Sequence, residues 1–334
     1  MASPPREAFP VGEVRNQVTI GAMSVIDWLL DTDPAIRWQV RRDLMDADAE
    51  AVVEERRVVS SEGWGALLLS EQAEDGTWDG GTYRPGWVDE ERPFFDAWTA
   101  THFALQDLRS FGVDPNDPAV VQAVAGVRDN VRWEATGEPY FAGETEPCIN
   151  GSALAVGAWF RQDVDCIVEK VLSQRLSDGG WNCWAEFGAR VSSYHTTLCV
   201  LEGLLGWEQA GGTSGDVTEA RRSGEEYLLE RRLFHRLTDG SVADPRFTMF
   251  SFPTRWYYDV LRALDYFCRA GSERDPRMAE AFDLVESKRD STGRWPLENI
   301  HQGATLFEME GPEGFPSRWN TLRAMRVLRW WHGD

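Results

Sequence analysis

Gln72-Ala73-Glu74-Asp75-Gly76-Thr77-Trp78 returns as Gln174-Arg175-Leu176-Ser177-Asp178-Gly179-Gly180-Trp181 and, more loosely, as Lys288-Arg289-Asp290-Ser291-Thr292-Gly293-Arg294-Trp295. Each copy follows one apolar helical stretch and precedes another. A helix-turn-helix unit punctuated by Gly-X-Trp and repeated along a chain reads as an array of helical hairpins. A second repeat agrees: Phe252-Pro253-Thr254-Arg255-Trp256 matches Phe315-Pro316-Ser317-Arg318-Trp319. The two copies run into Val260-Leu261-Arg262-Ala263-Leu264 and Thr321-Leu322-Arg323-Ala324-Met325. Proline followed by Thr or Ser ahead of an apolar periodic run marks a helix start, with Thr254 and Ser317 as the expected N-caps.

Working outward, helical patterns cover 24–30, 34–45, 50–59 and 64–70, then 95–110, 118–133, 149–161, 164–175, 194–210, 217–234, 255–270, 276–288 and 317–331. No stretch sustains period-two alternation, so the chain is expected to be all-α. Two kinds of helix alternate. Gly151–Ala158 and Thr197–Leu205 are apolar nearly all round, whereas Asp165–Leu172 has a charged face. The first kind belongs inside and the second outside. The expectation is a ring of parallel inner helices wrapped by outer ones, with the inner N-termini at one rim. Residues 1–20, rich in Pro and polar residues, read as a loose arm; 21–60 as an N-terminal helical cap; 61–334 as the ring itself.

The chain of 334 residues has a formal charge of −21, which excludes the basic footprint of a nucleic-acid binder. It also disfavours anionic lipid, and no apolar run reaches the length of a membrane span, so integral insertion is not expected. Sixteen tryptophans are far more than ordinary usage and read first as packing blocks in the repeats, then as walls for an apolar guest. The odd cysteine count, five, and the lack of a secretion signal fit a reducing, cytoplasmic setting.

The Gln-X3-Gly-X-Trp phrase resembles the Gln-Trp motif of squalene-hopene cyclases. The alternation of helices is similar to the α/α toroid that those terpenoid cyclases share with protein prenyltransferase β subunits. The resemblance covers about residues 62–331 and implies an α/α toroid and terpenoid chemistry. Two segments extend it. Glu146-Pro147-Cys148-Ile149-Asn150 and Ser193-Tyr194-His195-Thr196 each enter an inner helix, where prenyltransferase β subunits carry an Asp-X-Cys and a His-Thr that bind zinc. Here Glu replaces Asp, and Cys148 and His195 are 47 positions apart. The resemblance implies zinc on Glu146, Cys148 and His195, with Cys183 as a fourth ligand that would close the site. In the absence of metal, Cys148 and His195 would form a thiolate–imidazole pair, with Glu146 beside it. The cyclase acid motif Asp-X-Asp-Asp is missing. Asp163-Val164-Asp165 is the nearest string, and it opens an outer helix, where capping is its expected role.

Side chains at the inner-helix starts are the expected substrate contacts: Trp98, Asn150, Tyr194, Arg255, Trp256, Tyr258, Asp259, Arg318 and Trp319. They would ring one opening with an aromatic wall and two arginines, suited to an apolar body with an anionic head. For Arg255 and Arg318 the competing reading is structural: an Arg255–Asp259 pair, and bonds from Arg318 to loop carbonyls. The functional expectation is a terpene cyclase-like or prenyltransferase-like enzyme holding an isoprenoid in the central cavity, with zinc as the cofactor. The alternative is a non-catalytic small-molecule-binding or interaction protein on the same frame. A protein prenyltransferase needs an α subunit, and the sequence names no protein partner.

Overall fold

The Gly-X-Trp turns hold the helices together by one repeated set of bonds. The computed structural model describes residues 23–87 and 97–333. The indole N–H groups of Trp78, Trp181 and Trp295 donate to the carbonyls of Leu68, Val171 and Val285, at 2.7, 2.6 and 2.7 Å. Each acceptor lies ten residues back, near the end of the preceding helix. The backbone N–H of each Trp then donates to a Thr hydroxyl in the first turn of the following helix: Thr101, Thr197 and Thr321. One residue thus ties a helix end to the next helix start. Gly76, Gly179 and Gly293, two positions before each Trp, all take positive φ. A side chain at Gly76 would also meet the Gly126 backbone at 2.5 Å, so glycine is required there for two reasons.

The helices are α1 (Val25–Leu30), α2 (Pro34–Leu44), α3 (Ala49–Arg57), α4 (Gly63–Ser70), α5 (Thr101–Phe111), α6 (Pro118–Asn130), α7 (Pro147–Trp159), α8 (Asp165–Ser173), α9 (Tyr194–Gln209), α10 (Gly215–Glu230), α11 (Val260–Arg269), α12 (Ala279–Ser287) and α13 (Arg318–His332). The sheet described is a two-stranded antiparallel pair, β1 (Trp295–Pro296) and β2 (Pro316–Ser317). The all-α expectation therefore holds. Caps set many of the starts: the side chains of Ser24, Asp33, Asp48, Asp117, Ser214, Asp259 and Ser317 accept backbone N–H groups.

Helix α7 is buried on nearly all sides, and α9 almost as fully, while α8, α10 and α12 bury one face. Helix α2 packs on α5, α5 on α7, α7 on α9, α11 on α13, and α13 on α2. Helices α9 and α11 are joined by the Glu202–Arg262 ion pair at 2.7 Å. The tightest approach is α7 against α9. A side chain at Gly203 would meet the Gly151 carbonyl at 2.4 Å, so two glycines let the backbones touch and bring the two helix starts together. Among the described residues, no helix is long and apolar enough to cross a membrane.

Two expectations need correction. The second repeat is not structurally equivalent in its two copies. Ser317 caps α13 as expected, accepting from the Asn320 N–H, but α11 begins at Val260 with Asp259 as its cap. Thr254 caps nothing, because Arg255 sits at a φ of 52°, outside the helical region. The helix expected over 95–110 begins at Thr101, with 88–96 outside the described residues. The arm at 1–20 also lies outside them.

Candidate functional site

Glu146 is the N-cap position of α7, yet its side chain makes no cap bond and turns toward sulfur instead. Its carboxylate lies 3.7 Å from Cys148 Sγ, on the first turn of α7. Cys183 arrives from the loop after the second Gly-X-Trp turn, and its thiol donates to Cys148 Sγ at 2.7 Å. Thr196 of α9 fixes Cys183 twice: its hydroxyl accepts the Cys183 N–H at 3.4 Å and contacts the sulfur at 3.4 Å. Ligand atoms of Glu146, Cys148 and Cys183 all lie within 4.8 Å of one another, a set that could hold a metal ion.

The electrostatics favour proton retention here. Desolvation raises the Glu146 carboxyl. Cys148 is pushed well above the usual thiol range, first by its contact with Cys183 and then by burial. The Tyr83 phenol, raised well up by burial, also feels the charges of Cys148 and Glu146, and so belongs to the same neighbourhood.

His195 does not join this cluster. Its Nδ1 accepts the backbone N–H of Tyr258 at 2.8 Å, so in the neutral ring the proton sits on Nε2, which is then a donor and no ligand. Burial lowers its pKa to about 4, so the ring stays neutral. It packs against Trp256, Phe247 and Tyr257. The expected four-residue set is thus three residues, and neither a His195 ligand nor a thiolate–imidazole pair matches the geometry.

The expected substrate contacts do not ring one opening. The Asn150 amide bonds both the N–H and the carbonyl of Glu144 and shapes the turn before α7. The Tyr194 hydroxyl donates to the His235 carbonyl, and that of Tyr258 to the Leu233 carbonyl. Asp259 caps α11 and accepts from the Ser251 hydroxyl at 3.0 Å. Arg318 donates to the carbonyls of Trp28 and Asp31 at the end of α1, which is the structural reading. Arg255 is buried and ion-paired, but with Asp107 of α5 at 2.9 Å and not with Asp259. Trp98 and Trp256 remain near each other, in an aromatic group with Tyr83, Phe103 and Tyr257.

A cavity of about 1220 Å³ opens elsewhere, along the carboxyl-terminal halves of α5, α7 and α9 and along α11. Arg255 and Trp319 line it; Glu146, Cys148, Cys183 and His195 do not. Asp163 and Asp165 also reach it, with Asp165 accepting from the Trp207 indole at 2.9 Å. Sequence reasoning missed this cavity. A signal existed in Arg262 and Arg323, which interrupt the apolar runs of the second repeat at matching places and both line it. Thr196 and Tyr83 were also missed; each is an unremarkable residue until the turns place it beside the thiols.

The chain matches no protein-family model and no curated protein. Among solved structures, a protein from Actinoplanes is similar over 90% of this chain and 90% of its own, at 14% identity and a TM-score of 0.43.

Proposed function

We propose that the chain is an α/α toroid enzyme that handles an apolar, isoprenoid-class substrate at the Glu146–Cys148–Cys183 cluster, with zinc held by those three side chains. The order of helix contacts supports the toroid, since α2, α5, α7, α9, α11 and α13 each touch the next and α13 returns to α2. The observation that carries the functional reading is the convergence of two thiols and a carboxylate from α7 and a separate loop within 4.8 Å. Two sulfurs and an oxygen are a donor set that zinc accepts, and three protein ligands leave a fourth position open. Bound there, zinc would supply Lewis acidity toward a thiol or water. The protein's own groups do the rest. In the metal-free state the Glu146 carboxyl can hold a proton beside the thiols and give it up as metal binds, Thr196 steadies Cys183, and Tyr83 links the cluster to the aromatic group around Trp98. The five cysteines carry no disulfide, which suits the cytoplasm.

Metal analysis of the purified protein after zinc loading and exhaustive dialysis tests this. About one zinc per chain is expected, falling to near zero in Cys148→Ser and in Cys183→Ser. His195→Gln should leave the zinc content unchanged, because its Nδ1 is committed to Tyr258. A wild type that retains no zinc would overturn the reading. It would leave a non-catalytic small-molecule-binding protein, a second reading favoured by the protonated state of the buried Cys148 thiol.

A further inference from the structure

In a chain of net charge −21, the cavity wall carries nine arginines against five carboxylates. Part of that excess has a structural role. Arg262 pairs with Glu202, and Arg326 with both Asp265 and Asp43. Arg56 donates to the carbonyls of Gly112 and Val113 at the end of α5, with its guanidinium between the rings of Trp38 and Trp159 at 5.3 and 5.0 Å. Cations near the carboxyl ends of helices are also favoured by the helix dipole. Arg109 is different. It stands in the last turn of α5 and lines the cavity, and its guanidinium has no hydrogen bond or ion pair among the described residues. Its surroundings are mixed: Arg269 and Arg262 repel it, while Glu202 and Asp265, each already paired with another arginine, attract it. Burial, and then the Arg269 charge, lower its pKa to about 10.

Arg109 is half-buried on the cavity wall, and a guanidinium left there without a protein partner has N–H donors free to bind a planar oxyanion. We propose that this cavity binds a small organic polyanion, whose clustered phosphate or carboxylate oxygens sit on Arg109 with Arg269 beside it. The cavity, about 1220 Å³, exceeds what an inorganic ion needs and lies just above the roughly 300–1,000 Å³ usual for sites of whole small molecules, so it has room for one. Trp159 and Trp207 on its wall offer apolar surface to the ligand's body. This site is separate from the thiol cluster. Cys148 opens α7, whereas Ala155 and Ala158 of the same helix reach the cavity, roughly 10–15 Å further along at 1.5 Å per residue.

Thermal melting and calorimetry with inorganic pyrophosphate and with citrate, against sodium chloride at equal ionic strength, test the proposal. The wild type should be stabilised by at least one of the two anions and not by chloride; which one separates phosphate from carboxylate recognition. Arg109→Gln should weaken that binding at least about tenfold, as expected for loss of a charge-assisted contact. Without ligand, Arg109→Gln should melt no lower than wild type, since it removes a charge that has no partner. A structural arginine would behave in the opposite way on both counts. Arg269→Gln should show the same loss of binding, since among the described residues the Arg269 guanidinium has only a 4.0 Å contact with Asp265. No response of the wild type to either anion, or an undiminished response in both variants, would overturn the proposal.

Discussion

Trp181→Ala is expected to cost about 3–5 kcal/mol, the usual range for removing a buried tryptophan from a packed core. Trp181 is fully buried. Its loss opens a cavity between α8 and α9 and removes the 2.6 Å indole bond to the Val171 carbonyl, which keeps only the longer 3.3 Å bond from the Gln174 N–H. Total stabilities are only about 5–15 kcal/mol, so a loss of this size is a large fraction of the whole. Urea denaturation of the variant against wild type reads it directly. Trp78→Ala and Trp295→Ala should fall in the same range, because each indole makes the same bond ten residues back. Trp181→Phe separates two contributions. It keeps much of the apolar area but loses the indole bond to the carbonyl, for an expected loss of about 1–3 kcal/mol from the bond and the smaller ring together. A Trp181→Ala protein within about 1 kcal/mol of wild type would mean that the repeat is held by other contacts.

The repeat was legible because its chemistry is local. Gly at positive φ, a Trp two residues later and an acceptor ten residues back all belong to one stretch of chain. The meeting of Cys148 and Cys183 was legible for a related reason: adjacent helix starts in an array must share a rim, the Gly151–Gly203 approach draws α7 and α9 together, and Cys183 lies in the loop that leads from the second Gly-X-Trp turn to α9. Failures came where a long-range partner decides the outcome. The tautomer of His195 is set by a backbone N–H 63 positions later, and Arg255 is claimed by Asp107, 148 positions earlier. Neither partner has a sequence pattern that marks it. The placement of Arg255 at a helix start followed the resemblance of two five-residue phrases, and those phrases fold differently. Arg109 shows the limit most clearly. Its sequence context is that of any basic residue in a last helical turn, and its isolation is a property of the cavity alone.

Acid should destabilise the protein well before its carboxylates titrate. Burial holds three histidines neutral in the native state: His102 with a pKa near about 3, His195 at about 4 and His301 at about 3. In the unfolded chain each would titrate near its ordinary value of about 6.5. Between that value and the folded one, the unfolded state takes up protons that the native state refuses. Stability therefore falls as pH falls through this window, by up to about 1.4 kcal/mol per pH unit for each histidine. From pH 7 to pH 5 the loss is about 2 kcal/mol for each, and on the order of 5 kcal/mol for the three together. Buried carboxyls add contributions of either sign: Asp43, Glu202 and Asp265 are lowered, whereas Asp107, Glu146 and Glu310 are raised. The total slope is therefore less diagnostic than its change on removing one histidine. His102 is the suitable one, fully enclosed with Nδ1 2.9 Å from the Tyr140 hydroxyl. His102→Gln cannot be charged at any pH. Its stability at pH 7 should drop, because packing and the Tyr140 bond are disturbed, but the further loss on going to pH 5 should be smaller than that of wild type by about 2 kcal/mol. Equal losses in the two proteins would show that His102 accepts its proton in the folded state, and that its surroundings admit a charge.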